Sequence, residues 1–121
     1  MTKRILVVED TEDNRQILRD LLSAAGFEMV EAEDGAAGVA AAERERPDLI
    51  LMDIQLPVMD GYEATRRIKA NAELKHIPII AVTSYALSGD EEKARAAGCD
   101  GYVTKPFSPR QLLAKVREHL S

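Results

Sequence analysis

A chain of 121 residues, 45% hydrophobic and 31% charged, has the makeup of one folded domain over residues 1–121, too short for two independent cores and too apolar to stay disordered. Its formal net charge of -5 and scattered Lys and Arg residues exclude a basic stripe for nucleic acid, and no apolar run approaches the roughly 20 residues needed to span a bilayer. Glu9 and Asp10 cut short any signal peptide and the lone Cys99 has no internal disulfide partner, so the expected home is the reducing cytoplasm.

Ile5-Leu6-Val7-Val8 opens the chain as a continuous apolar run, the pattern of a strand buried on both faces, and leads into Glu9-Asp10. Ile17, Leu18, Leu21, Leu22 and Ala25 then recur at helical spacing, and Gly26 stands where a left-handed C-terminal residue belongs. Phe27 to Ala32 is a weaker strand, interrupted by Glu28 and Glu31 as suits a sheet edge. An Ala-rich helix follows Asp34 and must end before Pro47. Leu49-Ile50-Leu51-Met52 is the second buried-strand run and closes on Asp53. Asp60 is placed to cap a helix through Ile68. Ile79-Ile80-Ala81-Val82 is the third run, followed by Thr83-Ser84. Ser88 with Glu91, and Ser108 with Gln111, have capping-box spacing. Between them a short strand, Gly101 to Thr104, leads into Lys105-Pro106. Pro109 takes the first position of a last helix whose buried face is Leu112, Leu113, Val116 and Leu120.

Strand and helix therefore alternate, which predicts a (βα)₅ domain of the α/β class with a parallel sheet. Right-handed crossovers bring all the strand C-termini to one edge, where open α/β sheets bind their ligands. Standing there are Glu9, Asp10, Asp53, Thr83 and Lys105. The three carboxylates and one ammonium sum to -2 in one crevice. Two carboxylates about 4 Å apart repel by roughly 4 kcal/mol at an effective dielectric near 20, enough to protonate one of them unless a cation compensates. With oxygen donors alone, and too few for a closed cage, the cation indicated is Mg²⁺ retaining several waters. No His or Cys joins the cluster, which argues against zinc or copper. An ionised carboxylate beside Mg²⁺, with an ammonium and a hydroxyl across the crevice, is suited to attack phosphorus and form an aspartyl phosphate.

Val7-Val8-Glu9-Asp10, Leu51-Met52-Asp53, Leu56-Pro57-Val58-Met59-Asp60-Gly61, Val82-Thr83-Ser84 and Lys105-Pro106 resemble the motifs of bacterial response-regulator receiver domains, and the resemblance covers the whole chain. It implies a flavodoxin-like doubly wound sheet of order 2-1-3-4-5. It implies Asp53 as phosphoacceptor, with Thr83 and Lys105 as its catalytic partners. Mg²⁺ would be held by Asp53, by Asp10 directly, by Glu9 through water, and by the backbone carbonyl of Gln55. Thr83 and Tyr102 resemble the switch pair, and Lys105-Pro106 the family's cis peptide. The readout face would lie near Tyr85, Tyr102 and Pro106. Neither His76 nor His119 fits a phosphohistidine, so the phosphodonor would be a partner histidine kinase or phosphotransfer protein. A downstream protein target would read the signal, with no direct nucleic acid and no membrane. Gln55 and Tyr85 occupy positions where the family tunes phosphate lifetime.

Within that family the chain is similar to the single-domain branch of chemotaxis and cell-division regulators. Met59-Asp60-Gly61-Tyr62-Glu63-Ala64-Thr65-Arg66-Arg67 is also typical of receivers fused to hybrid kinases, so a receiver excised from such a kinase is the alternative. An enzyme reading, a haloacid-dehalogenase-type phosphatase, shares Asp, Thr, Lys and Mg²⁺. It calls for a general acid two residues after the nucleophile, where this chain has Gln55. A flavodoxin-like cofactor binder would share the architecture, but neither G-x-G-x-x-G nor a Walker A sequence is present. A degenerate receiver serving as a plain interaction module would lack part of the site set, which is complete here.

Overall fold

The computed structural model describes residues 2–83, 90–105 and 107–120. Among them, strand and helix alternate five times: β1 (Arg4–Val8), α1 (Glu12–Ala24), β2 (Glu28–Ala32), α2 (Gly35–Glu45), β3 (Leu49–Asp53), α3 (Gly61–Ala70), β4 (Ile79–Thr83), α4 (Asp90–Ala97), β5 (Gly101–Thr104) and α5 (Pro109–Leu120). The strands pair in parallel in the order β2-β1-β3-β4-β5, the order that the resemblance implies, with β2 on an edge.

Alternation along each buried strand divides the core in two. Leu6, Val8, Ile50, Met52, Ile79 and Ala81 pack with residues of α2, α3 and α4. Ile5, Val7, Leu49, Leu51, Ile80 and Val82 pack with Leu18 and Leu22 of α1 and with Leu112 and Val116 of α5. Successive side chains of a strand point to opposite faces, so a run without polar residues needs helices on both. Cys99 is buried in the first of these layers, its thiol 3.7 Å from the Thr65 hydroxyl.

The helix boundaries follow their signals. Asp34 caps α2 by accepting from the Ala37 N–H at 2.7 Å, and Asp60 caps α3 by accepting from Glu63 at 2.9 Å. Ser108 and Gln111 complete a reciprocal box: the Gln111 N–H donates to the Ser108 hydroxyl and the Ser108 N–H to the Gln111 amide oxygen. Ser88, the other proposed capping residue, lies outside the described residues. α3 continues two residues past Ile68, to Ala70.

Two expectations need correction. Ile17 does not join the apolar face of α1; it is 59% exposed. The buried stripe runs instead through Arg15, Leu18 and Leu22, and a residue one step along a helix lies about 100° away from its neighbour. Phe27 is not in β2, because its N–H closes the end of α1 on the Leu22 carbonyl at 2.9 Å. Gly26, just before it, has φ of +90°.

The segment between β3 and α3 is held tightly against the sheet. A Cβ on Gly61 would lie 2.3 Å from the Asp53 carbonyl oxygen, so only glycine lets α3 start this close to β3. Just before it, the Met59 N–H donates to the Pro57 carbonyl at 2.7 Å across Val58, whose φ is +68°. That is a γ-turn centred on a β-branched residue, a strained arrangement for an L side chain. Val58 is also 85% exposed, so its methyl groups gain little from burial. Val58→Asn is therefore expected to stabilise the protein by about 1 kcal/mol in urea unfolding, since Asn tolerates positive φ. An unchanged or lower midpoint would mean the turn carries no strain.

Candidate functional site

Parallel register aligns the strand C-termini. Val8 lies opposite Ala32 and Met52, Asp53 opposite Val82, and Thr83 opposite Thr104. Glu9 and Asp10 follow β1 at once, Asp53 is the last residue of β3, and Lys105 comes directly after β5. The backbone ties the ends together: Ile54 N–H donates to the Val82 carbonyl at 3.1 Å and Lys105 N–H to the Thr83 carbonyl at 2.6 Å.

Carboxylate oxygens of Glu9, Asp10 and Asp53 lie within 4.8 Å of one another. Lys105 Nζ bridges two of these groups, 3.1 Å from Glu9 Oε1 and 3.3 Å from Asp53 Oδ2. The Gln55 N–H donates to Asp53 Oδ1 at 3.0 Å, an Asx-turn that fixes the Asp53 carboxylate against the following loop. Asp53, Glu9 and Thr83 are buried, whereas Asp10 is exposed. Beneath the cluster is a cavity of about 10 Å³ walled chiefly by Val7, Leu18, Leu51 and Val82, so the floor of the site is apolar.

The electrostatics follow from that burial. Asp53 is pushed up to about 7, first by burial and then by the neighbouring Glu9 carboxylate, against the opposing pull of the Gln55 N–H and of Lys105. Burial would also raise Glu9, but the neighbouring Asp53 carboxyl, the Asn14 amide and Lys105 outweigh it and hold Glu9 below the usual carboxylate range. Lys105 loses stabilisation to burial, yet the two carboxylates more than restore it and its ammonium is held above its ordinary value. Of the two buried carboxyls it is thus Asp53 whose protonated form is favoured, as expected when two such groups face a single cation among the described residues.

The donor set fits a divalent cation. Glu9 Oε2 is buried and makes no hydrogen bond among the described residues, an acceptor suited to a proton, a water or a metal. The three converging carboxylates are hard oxygen donors, and one of them is exposed, which suits Mg²⁺ with part of its water shell.

A family model, the response regulator receiver domain, matches residues 5–117. The chain belongs to this family. As a receiver domain of two-component signalling it is 44% identical to the polar-differentiation response regulator DivK of Brucella ovis, over 99% of this chain and 98% of that one. The receiver domain of a sensor histidine kinase from Pseudomonas aeruginosa PAO1, solved with a magnesium ion in its active site cleft, is 40% identical with a TM-score of 0.92, covering 99% of this chain and 98% of its own. Chemotaxis protein CheY4 of Vibrio cholerae superposes with a TM-score of 0.93 at 31% identity, covering 99% of this chain and all of its own.

Of the residues named from sequence, the fold of this receiver brings Glu9, Asp10, Asp53 and Lys105 together and sets Thr83 at the neighbouring strand end. Tyr102 lies one strand further along, on β5, packed against the core layer that contains Ile79 and Ala81. Ser84, Tyr85 and Pro106 lie outside the described residues. Two residues were missed. Asn14 donates its amide to Glu9 Oε1 at 2.5 Å, and the buried Arg15 donates to the Glu9 carbonyl at 2.6 Å. Their common signal in the sequence is position: both fall in the first turns of the helix that follows the acidic pair.

Proposed function

We propose that Asp53 is the phosphoacceptor of this receiver, phosphorylated by a histidine kinase or phosphotransfer protein in the cytoplasm. The carrying observation is the contact of a buried strand-end carboxylate with both Lys105 and a second carboxylate. Mg²⁺ would be held by Asp10 and Asp53, by Glu9 through water, and by the Gln55 carbonyl; when bound it supplies positive charge that keeps Asp53 ionised and neutralises phosphoryl oxygens. In the transfer an Asp53 oxygen forms a bond to phosphorus as the bond to the donor's leaving atom breaks. Lys105, already beside Asp53 Oδ2, is placed to hold one transferred oxygen, and Thr83 another. Later attack of water on the acyl phosphate returns Asp53 and inorganic phosphate, so the chain catalyses its own labelling and slow dephosphorylation. Incubation with acetyl phosphate and Mg²⁺ should add one phosphoryl group by intact mass, and borohydride reduction before peptide mapping should place it on Asp53. Label at another residue would overturn the assignment.

The signal passes to a downstream protein rather than to nucleic acid or a membrane. No helix among the described residues is long and apolar enough to cross a bilayer. Thr83 and Tyr102 form the switch: movement of the hydroxyl toward phosphate frees space for the aromatic ring. Thr83→Ala removes one hydrogen bond to a charged group, about 1.5–3 kcal/mol. Coupling free energies are about 1–3 kcal/mol, so the variant should accept phosphate while losing most of the affinity gain for its partner. Partner affinity with and without beryllofluoride measures this; an undiminished gain would route the signal elsewhere. A second reading, a receiver belonging to a hybrid kinase, is favoured by the 40% identity to the sensor-kinase receiver. It leaves the chemistry at Asp53 unchanged.

A further inference from the structure

We infer that Asn14 is a positioning residue for the cation site, fixing the Glu9 carboxylate so that one of its oxygens is reserved for the metal side. The inference rests on the cation site proposed above. Glu9 stands where a shorter Asp would reach the same edge with one fewer rotatable bond, so its carboxylate needs an anchor. That anchor comes from α1. Asn14 Nδ2 donates to Glu9 Oε1 at 2.5 Å, and Lys105 Nζ occupies the same oxygen at 3.1 Å. Both donors engage Oε1, while Oε2 of the same carboxylate is buried without a partner among the described residues.

The division between the two oxygens has a chemical reason. A carboxylate with one oxygen saturated by donors presents the other as a directed acceptor, toward a cation or one of its waters. The amide achieves this without altering the charge count: a Lys at position 14 would compete with the metal, and an Asp would add to the repulsion that already raises Asp53. Arg15 supports the same segment from behind. Its guanidinium holds the Glu9 carbonyl at 2.6 Å and pairs with Glu12 at 2.7 Å and Glu31 at 3.3 Å. The backbone of Glu9 and its carboxylate are therefore fixed by two consecutive residues of α1, and removing Asn14 frees only the carboxylate.

The test is Mg²⁺ titration by calorimetry of the wild-type chain, Asn14→Ala, Glu9→Ala and the double variant, each checked for an unchanged circular dichroism spectrum. Partners that orient a ligand without touching the metal are commonly worth about tenfold in metal affinity. Asn14→Ala is expected to weaken Mg²⁺ about tenfold in the wild-type background and by less than twofold in the Glu9→Ala background. A merely structural contribution of Asn14 to α1 would weaken both backgrounds alike, and that result overturns the inference. So does an Asn14→Ala affinity within twofold of wild type. Absence of Mg²⁺ binding by the wild-type chain would instead overturn the cation site itself, and this inference with it.

Discussion

Asp53→Ala is expected to abolish labelling by acetyl phosphate, leaving no mass shift where the unsubstituted chain gains one phosphoryl group. The loss should be complete because no neighbour among the described residues is suited to take over. Glu9 is the nearest alternative nucleophile, but one of its oxygens is engaged by Asn14 and Lys105, and its low pKa marks a carboxylate whose charge is already stabilised. Asp10 is exposed, and water competes with any phosphoryl donor there. Lys105→Ala should behave differently, labelling more slowly but at the same residue, since it removes a charge and not the nucleophile. Phosphate accumulating on Asp53→Ala would contradict the proposed chemistry.

Asp53→Asn is expected to stabilise the Mg²⁺-free protein at pH 8 and to change it little at pH 4. Burial and Glu9 raise the folded pKa of Asp53 to about 7 from an ordinary value of 3.8. Below 3.8 the carboxyl is protonated folded or unfolded, and it costs the fold nothing. As pH rises toward 7 the unfolded chain loses the proton while the folded chain keeps it, so stability falls; above 7 both are ionised and the full penalty stands. One pKa unit corresponds to about 1.4 kcal/mol, and Glu9 takes up part of the repulsion, so the gap between variant and wild type should widen by about 2 kcal/mol from pH 4 to pH 8. In thermal unfolding that is about 8 °C. Added Mg²⁺ should close most of the gap by stabilising only the chain that keeps Asp53. A gap independent of pH would mean that Asp53 ionises without cost in the fold.

The strand-end residues were legible because two simple constraints act on them: parallel strands gather their C-termini, and residues directly after an apolar run must stand at that edge. Glu9, Asp10, Asp53, Thr83 and Lys105 needed nothing more. The upward push on one carboxyl followed from counting charges, although the depth of burial that sets its size did not. Asn14 and Arg15 were hidden by helical phase. One residue's error in the buried stripe of α1 admits Ile17 to the core and sends Arg15 to solvent, and the apolar spacing alone favours that mistake. Val58 was illegible for another reason. Its positive φ comes from closing the short path between β3 and the cap of α3, a tertiary demand that no local preference of valine would disclose.

Cys99 gives the molecule a built-in clock. Burial raises its thiol pKa, with only partial relief from Thr65, so almost none of it is thiolate at neutral pH while the fold is closed. As the chain's single sulfhydryl, it lets a thiol-reactive dye record one event, the opening of the layer between α3 and the approach to β5. Dye uptake in the unmodified chain then times that opening, and comparing its pace with and without an acyl phosphate donor reports whether modification at one edge of the sheet loosens or tightens the packing at the other.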